Sequence, residues 1–428
     1  MQAGTIRVTR GPEKWPGPSP SFGPLSNRFI FAYIIEPIAG FSLSSASFER
    51  PYWTRQHGVI GCRAIGRSTS MSTSHKLIVA DSRVLSQIPD NTVDLVVTSP
   101  PYPMIEMWDR TFAHLNPKVS SALTDFDGNK AFSLMHDELD KVWREIVRAL
   151  KPGGWACINI GDATRKIGDY FKLYSNHTRI TQSFFELGMD ILPVIIWKKQ
   201  TNAPNKFMGS GMLPGGAYVT LEHEYILIFR KGHRRVFPNQ EKKSIRRTSS
   251  YFWEERNIWF SDTWDFKGSR QAMSGNSSRR RSGAYPFVLA YRLISMYSVY
   301  GDTVLDPFLG TGTTTLAAIA AARNSIGVEI DSELARQSID LILGSSEDAN
   351  DRINDRLQNH RKFIEEYREK KGDPKHHNAF HGFPVITSQE KELELRYVSE
   401  IAQVEDLSFV VEYDAVRPIS LPLFDQPR

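Results

Sequence analysis

Residues 304–318 read VLDPFLGTGTTTLAA. A short apolar run ends at Asp306, glycines stand at 310 and 312, and an alanine-rich segment follows. Strand, tight turn and helix in that order belong to the carboxyl edge of a parallel sheet, where open α/β folds bind their ligands. The same alternation recurs outward in both directions. KLIVAD ends at Asp81, VDLVV leads into Thr98, and WACINIGD, ILPVIIW, EHEYILIFRK and SIGVEID each read as a strand. Between them lie helical patterns. In HDELDKVWREIVRALKPGG, Leu139, Val142, Trp143, Ile146, Val147 and Leu150 recur at helical spacing, and Pro152-Gly153-Gly154 is the stop. SNHTRITQSFFELGM and YPFVLAYRLISMYS are two more. Strands alternating with helices predict an α/β fold with a doubly wound, mostly parallel sheet.

The turn itself limits the ligand. Thr315 stands where a dinucleotide fingerprint has its third glycine, and no lysine precedes the threonines as in a Walker loop. The backbone is open to close approach without a phosphate grip. Glu329 closes the next strand, 19 residues after Gly310, and a carboxylate there can accept both hydroxyls of a ribose. A ligand with adenosine but no phosphates fits, and S-adenosylmethionine is the common one. Taken alone, the turn is most simply a tight strand-to-helix connection. Asp306, Glu329 and a second motif in one chain outweigh that reading.

The second motif is TSPPYP, Thr98 to Pro103. Two adjacent prolines end a hydrogen-bonded ladder, because neither donates a backbone N–H. An exocyclic amine on a nucleobase is a poor nucleophile, since its lone pair is delocalised into the ring. Two acceptors aimed at its N–H bonds would pull electron density back onto nitrogen and stabilise the charge that develops there. Ser99 Oγ and the Pro100 carbonyl, stiffened by Pro101, can supply them. Tyr102 offers a ring on which a flipped base can stack. In an arbitrary protein, SPPY would be a proline-rich loop with a surface aromatic.

Together these segments resemble the amino-group DNA methyltransferases in which the catalytic tetrapeptide precedes the cofactor loop, the beta group, from about His75 to Leu343. TSPPY matches the catalytic motif, YPFVLAYRLI the helix before the cofactor loop, DPFLGTGTT the loop, and GVEID the ribose-binding strand. The resemblance implies a fold of the S-adenosylmethionine-dependent methyltransferase type. It implies catalytic roles for Ser99, Pro100, Pro101 and Tyr102. It implies cofactor contacts at Asp81, Pro286, Asp306, Phe308, Gly310, Thr311, Gly312 and Glu329. Serine in the first catalytic position goes with N4-methylcytosine, and aspartate there with N6-methyladenine. The expected substrate is double-stranded DNA. A cognate restriction endonuclease acting independently and a solitary methyltransferase are both compatible with the resemblance, as are a monomer and a homodimer. The rivals are adenine methylation on the same fold, RNA methylation, and a non-catalytic DNA-binding protein. The intact reacting groups argue against the last.

Charge is uneven. Lys231–Gly283 holds 13 Lys/Arg against 5 Asp/Glu, within a chain of formal charge +5. This basic, aromatic segment lies where the group has its target-recognition region. Arg246, Arg247, Arg279, Arg280 and Arg281 are expected DNA contacts, to phosphates or guanine edges, with Arg279, Arg280 and Arg281 expected to meet phosphates before base edges. Its aromatics are expected both to pack and to meet DNA. The division of the chain reads as an extension at 1–70, a catalytic half at 71–231, the target-recognition insertion at 232–283, a cofactor-binding half at 284–346 and a polar C-terminal extension at 347–428. In that last part an exposed helix and a solvent-exposed tail with His376, His377 and His381 are expected, and no metal site. His223 reads as a packed histidine flanked by non-catalytic Glu222 and Glu224, and Asp162 as a supporting residue. Two cysteines, Cys62 and Cys157, make no disulfide framework and suit a reducing, cytoplasmic setting. The most apolar run, from Phe29, is broken by Glu36 and Pro37, which argues against a membrane span.

Overall fold

The structure, a computed structural model, describes residues 71–199, 209–268 and 285–415. Its strands are β1 (Met71–Val79), β2 (Val93–Thr98), β3 (Leu150–Ile160), β4 (Ala163–Ile167), β5 (Tyr170–Tyr174), β6 (Asp190–Lys199), β7 (His223–Arg230), β8 (Thr263–Phe266), β9 (Thr303–Asp306), β10 (Asn324–Glu329), β11 (His376–His377), β12 (Pro384–Val385), β13 (Arg396–Glu405) and β14 (Ser408–Ala415). The helices are α1 (Asp109–Leu115), α2 (Lys118–Thr124), α3 (Gly128–Ala149), α4 (Asn176–Glu186), α5 (Gln240–Thr248), α6 (Trp253–Trp259), α7 (Phe287–Tyr297), α8 (Thr313–Ala320), α9 (Ser332–Leu343) and α10 (Ser346–Lys371).

Ten strands form one sheet in the order β13-β14-β1-β10-β9-β2-β3-β7-β6-β8. The centre, β1 to β3 in that order, is entirely parallel. β7 runs antiparallel to β3 and β6, and β14 antiparallel to β1. Strand side chains alternate between two apolar layers. Leu95 and Val97 face α7 and α8, whereas Val96 faces α3 and α4. The chain leaves β2 through α3 to reach β3 on one side, and leaves β9 through α8 to reach β10 on the other. The winding therefore reverses between β2 and β9. A crevice opens at the carboxyl ends of the strands at such a switch point, and TSPPYP and DPFLGTG are the two loops that flank it.

The C-terminal part is not a polar appendage. α10 carries a sparse apolar stripe, Ile353, Leu357 and Ile364 with His360, which is buried despite the charges around it. Phe252, Phe383, Val385, Leu393 and Leu395 complete that small core. The β13–β14 hairpin extends the main sheet, and Tyr413 donates to the Ile319 carbonyl at 2.8 Å. The expected solvent-exposed histidine tail is corrected as well. His377 is exposed, but His381 stacks on Phe383 and accepts the Leu395 N–H at 3.1 Å. Charge dilution hid this core, because an edge hairpin and a one-faced helix expose most of their residues.

Most aromatics of the basic insertion also pack inward. Phe252, Trp259 and Trp264 are buried. α6 is clamped to α10 by the Arg356–Glu255 pair at 2.6 and 2.7 Å and by His360–Glu254 at 2.7 Å. Among the described residues no helix is long and apolar enough to cross a membrane.

One buried histidine makes the sheet acid-sensitive. His75 on β1 is fully buried between Thr73 Oγ1 and Ser325 Oγ, each at 2.8 Å. Burial lowers its pKa from 6.5 to about 3. The unfolded chain binds this proton below pH 6.5 and the folded chain does not, so stability present above pH 6.5 is lost as pH falls toward 3. Between pH 6.5 and 5 the group removes about 2 kcal/mol. Urea unfolding at both pH values should show this dependence reduced by that amount in His75→Gln. Equal dependence in both proteins would refute it.

Candidate active site

Asp306 ends β9 with its carboxylate almost fully buried. Oδ1 accepts from Thr98 Oγ1 at 2.6 Å and from the Phe308 N–H at 3.0 Å. Oδ2 accepts from Thr314 Oγ1 at 2.5 Å and Tyr285 OH at 3.3 Å, and the latter two hydroxyls also touch each other. Burial pushes this carboxyl up, and the hydrogen bonds from Thr314 and Thr98 oppose the shift. Asp306 therefore knots β2, the glycine turn, the start of α8 and the approach to α7 together. The sequence placed it against the ligand; the structure gives it four protein partners. Tyr285 is a partner that sequence reading missed, beside Pro286, which is buried and caps α7.

The turn beyond is shaped by its glycines. Gly310 and Gly312 have φ of +56° and +85°, in the left-handed region that favours glycine. Glu329 Oε2 accepts the Gly310 N–H at 2.9 Å and Oε1 the Asp331 N–H at 3.0 Å. Each oxygen thus retains acceptor capacity. Burial raises the Glu329 pKa, opposed by those two N–H groups. Phe308 is half-buried with its ring edge-on to Trp143, and Thr311 is half-buried in the turn. Asp81, just beyond β1, lies on the same edge. Its carboxylate is held by Arg83 Nε and Nη2 at 2.9 and 2.6 Å from Oδ2, and Arg83 also reaches Glu138 at 2.6 Å. Burial would raise the Asp81 pKa, but Arg83 outweighs it and the net shift is downward.

TSPPYP leaves β2 beside this turn. Pro100 is buried, while Ser99, Pro101 and Tyr102 are half-buried. Met104, two residues after Tyr102, is a buried non-glycine at φ +65°, strain of the kind that concentrates at functional loops. The Tyr102 hydroxyl donates to Glu224 Oε2 at 2.9 Å. It accepts from Asn159 Nδ2 at 2.9 Å and from Ser99 Oγ at 3.2 Å. Burial first, then the Glu224 charge, raises its pKa well above the ordinary value. Asn159 Nδ2 also reaches Glu224 Oε2 at 2.8 Å, and Lys199 Nζ meets Glu224 Oε1 at 2.8 Å. Glu224, read from sequence as a bystander, is thus tied directly to the catalytic motif. His223 is half-buried with its ring edge-on to Tyr225. Asp162 supports the edge by capping α4 through the His177 N–H at 3.1 Å and its ring at 2.8 Å.

The Tyr102 ring rests against Gly161, where an added Cβ would lie 3.0 Å from Cε2. Gly161→Ala is expected to displace the ring and lower the turnover rate at least about tenfold while leaving ligand binding at the glycine turn intact. Steady-state kinetics and calorimetry would check this; unchanged turnover would exclude a working role for the ring position.

Arg246 and Arg247 are not brought to this edge. They are exposed on α5, with Arg246 over the Phe237 ring and Arg247 3.4 Å from Glu392. Ser249 follows α5 directly, and its Oγ accepts the Tyr300 N–H at 2.8 Å. Tyr300 precedes β9, so α5 lies at the amino edge, opposite Ser99. Arg279, Arg280 and Arg281 lie outside the described residues. Among the described residues no cluster of His, Cys, Asp and Glu suits a metal ion.

The chain is similar in sequence to known proteins. Residues 93–340 match the N6/N4 methyltransferase family, described as DNA methylase. The type II methyltransferase M.MthZI of Methanothermobacter thermautotrophicus is 50% identical over 353 residues, covering 81% of this chain and 97% of its own. M.MjaI of Methanocaldococcus jannaschii, also a type II methyltransferase, is 49% identical over 62% of this chain and 90% of its own. A Thermus thermophilus protein described as a putative DNA modification methylase, solved with S-adenosyl-L-methionine, is 34% identical at a TM-score of 0.48, over 62% of this chain and 94% of its own. The family match spans more than half of the chain, and half of the aligned residues are shared with a relative matched over nearly its whole length: the chain belongs to the N6/N4 DNA methylase family.

Proposed function

We propose that this DNA methyltransferase transfers a methyl group from S-adenosylmethionine to the N4 amine of a cytosine flipped out of duplex DNA. The observation that carries the reading is the 2.6 Å bond from Thr98 to Asp306. It locks the SPPY loop and the glycine turn side by side at the switch point, so one crevice serves both reactants.

The residues present fit the cofactor. Glu329 retains acceptor capacity on both oxygens for a ribose, and two glycines leave the turn open. Asp81 follows β1, Phe308 and Thr311 belong to the glycine turn, and Pro286 adjoins Tyr285, which bonds Asp306, so these four are the further residues assigned to the cofactor. When bound, S-adenosylmethionine supplies a methyl group already activated on a sulfonium. The chain positions the base and draws electron density to its amine. Ser99 Oγ and the Pro100 carbonyl accept the two N–H bonds, and Pro101 limits their movement. The Tyr102 ring stacks on the extruded base. Serine as the first residue of the tetrapeptide supports cytosine over adenine. The type II names of both relatives support a restriction–modification setting.

Expression in a bacterial host free of DNA methylation, followed by sequencing that resolves modified bases, tests the reading. N4-methylcytosine at one recurring sequence is the expected result. N6-methyladenine would move the target to adenine, and an unmodified genome would contradict the proposal.

A further inference from the structure

Ser99 faces a constraint. A serine hydroxyl assists an amine by accepting from it, yet it carries a hydrogen of its own. That hydrogen needs a partner away from the base, or it competes with the amine.

The cluster behind Ser99 supplies one with a fixed direction. An ionised carboxylate only accepts, so Glu224 draws the Tyr102 hydroxyl hydrogen to its Oε2, 2.9 Å away. The Tyr102 oxygen, its hydrogen committed, is left to accept from Ser99 Oγ at 3.2 Å and from Asn159 Nδ2 at 2.9 Å. Glu224 also sets the Asn159 amide, whose Nδ2 lies 2.8 Å from the same Oε2. The opposite amide orientation would set oxygen against carboxylate. Asn159 Oδ1 is buried with no hydrogen-bond partner among the described residues. An orphaned acceptor of this kind costs about 1–3 kcal/mol, which a purely structural network would avoid. Lys199 Nζ, at 2.8 Å from Oε1, balances the carboxylate charge.

We propose that Glu224 is a positioning residue for methyl transfer: it orients the Tyr102 hydroxyl so that Ser99 donates backward and presents its lone pairs to the amine. The inference rests on the methyl-transfer reading of the site. Tyr102 accordingly has two separable parts, a ring for the base and a hydroxyl for Ser99. The two glutamates around His223 also differ, since Glu224 alone enters the chain of bonds.

The test compares wild type, Tyr102→Phe, Glu224→Leu, Glu224→Gln and the Tyr102→Phe/Glu224→Leu double variant. Single-turnover methylation of duplex DNA, KM for both substrates, and fluorescence of 2-aminopurine at the target position are measured. Tyr102→Phe and Glu224→Leu should each lower the single-turnover rate about a hundredfold. KM values and the base-flipping signal should stay within about threefold. The double variant should be no slower than either single, because both break one chain. Glu224→Gln keeps an acceptor and should recover most of the rate. Wild-type speed in Glu224→Leu, multiplied losses in the double variant, or a Gln variant as slow as Leu would each overturn the inference. If Glu224→Leu does not fold, Tyr102→Phe decides, and wild-type speed there overturns it too. A wild type that methylates no DNA would instead defeat the methyl-transfer reading itself.

Discussion

Ser99→Ala should lower single-turnover methylation by about two to three orders of magnitude, the usual loss when one preorganised group is removed from developing charge. S-adenosylmethionine affinity should stay within about twofold. The substitution removes one oxygen from a half-buried position and adds nothing. Tyr102 keeps its bonds to Asn159 and Glu224, and the glycine turn is not touched. The loss should fall on the rate and not on KM, because the Ser99 interaction strengthens only as the amine becomes tetrahedral. An unchanged rate would remove Ser99 from the mechanism. A parallel loss of cofactor affinity would make its role structural.

Asp306→Ala and Glu329→Ala should fail in different ways. Removing the Asp306 carboxylate leaves Thr98, Thr314, Tyr285 and the Phe308 N–H without their shared acceptor, in a fully buried place. Orphaned buried groups cost about 1–3 kcal/mol each. Tyr285 and Thr314 can still bond each other, so a net loss of about 3 kcal/mol is expected, a melting point lower by several degrees. Cofactor binding should weaken with it, because the knot that shapes the turn is gone. Asp306→Asn, which keeps one acceptor oxygen, should be milder. Glu329 is less buried and accepts only two backbone N–H groups at the loop mouth. Its loss should barely move the melting point, yet raise the dissociation constant for S-adenosylmethionine at least about tenfold. Scanning calorimetry and titration calorimetry separate the two. Unchanged stability with lost binding in Asp306→Ala would return Asp306 to direct ligand contact.

The contrast shows what the sequence could carry. Strand, glycine turn and helix around Asp306 were legible because they are local, and the order of TSPPYP and DPFLGTG was enough to anticipate both loops of the crevice. The protein partners of Asp306 were not legible, because Thr98 and Tyr285 come from distant stretches of chain. Glu224 was missed for the same reason. It meets Tyr102 only because β7 runs antiparallel to β3 with Tyr225 opposite Ile160, a register no local pattern encodes. A glutamate at the start of an apolar strand, on the edge that bears the catalytic loop, is the signal that could have found it. Arg246 and Arg247 carry the right charge, but charge does not say which edge of the sheet a helix docks on. The C-terminal hairpin was hidden because an edge strand alternates too weakly against its own charges.

The central claim is that the Ser99 site passes the cofactor's methyl group to a cytosine amine. It is tested most directly by nucleoside mass spectrometry of plasmid DNA incubated with purified protein and methyl-deuterated S-adenosylmethionine. The expected product is N4-methylcytosine carrying the deuterated methyl group, nearly absent with Ser99→Ala. A deuterated methyl group on adenine N6, or none on any base of DNA despite bound cofactor, would contradict it.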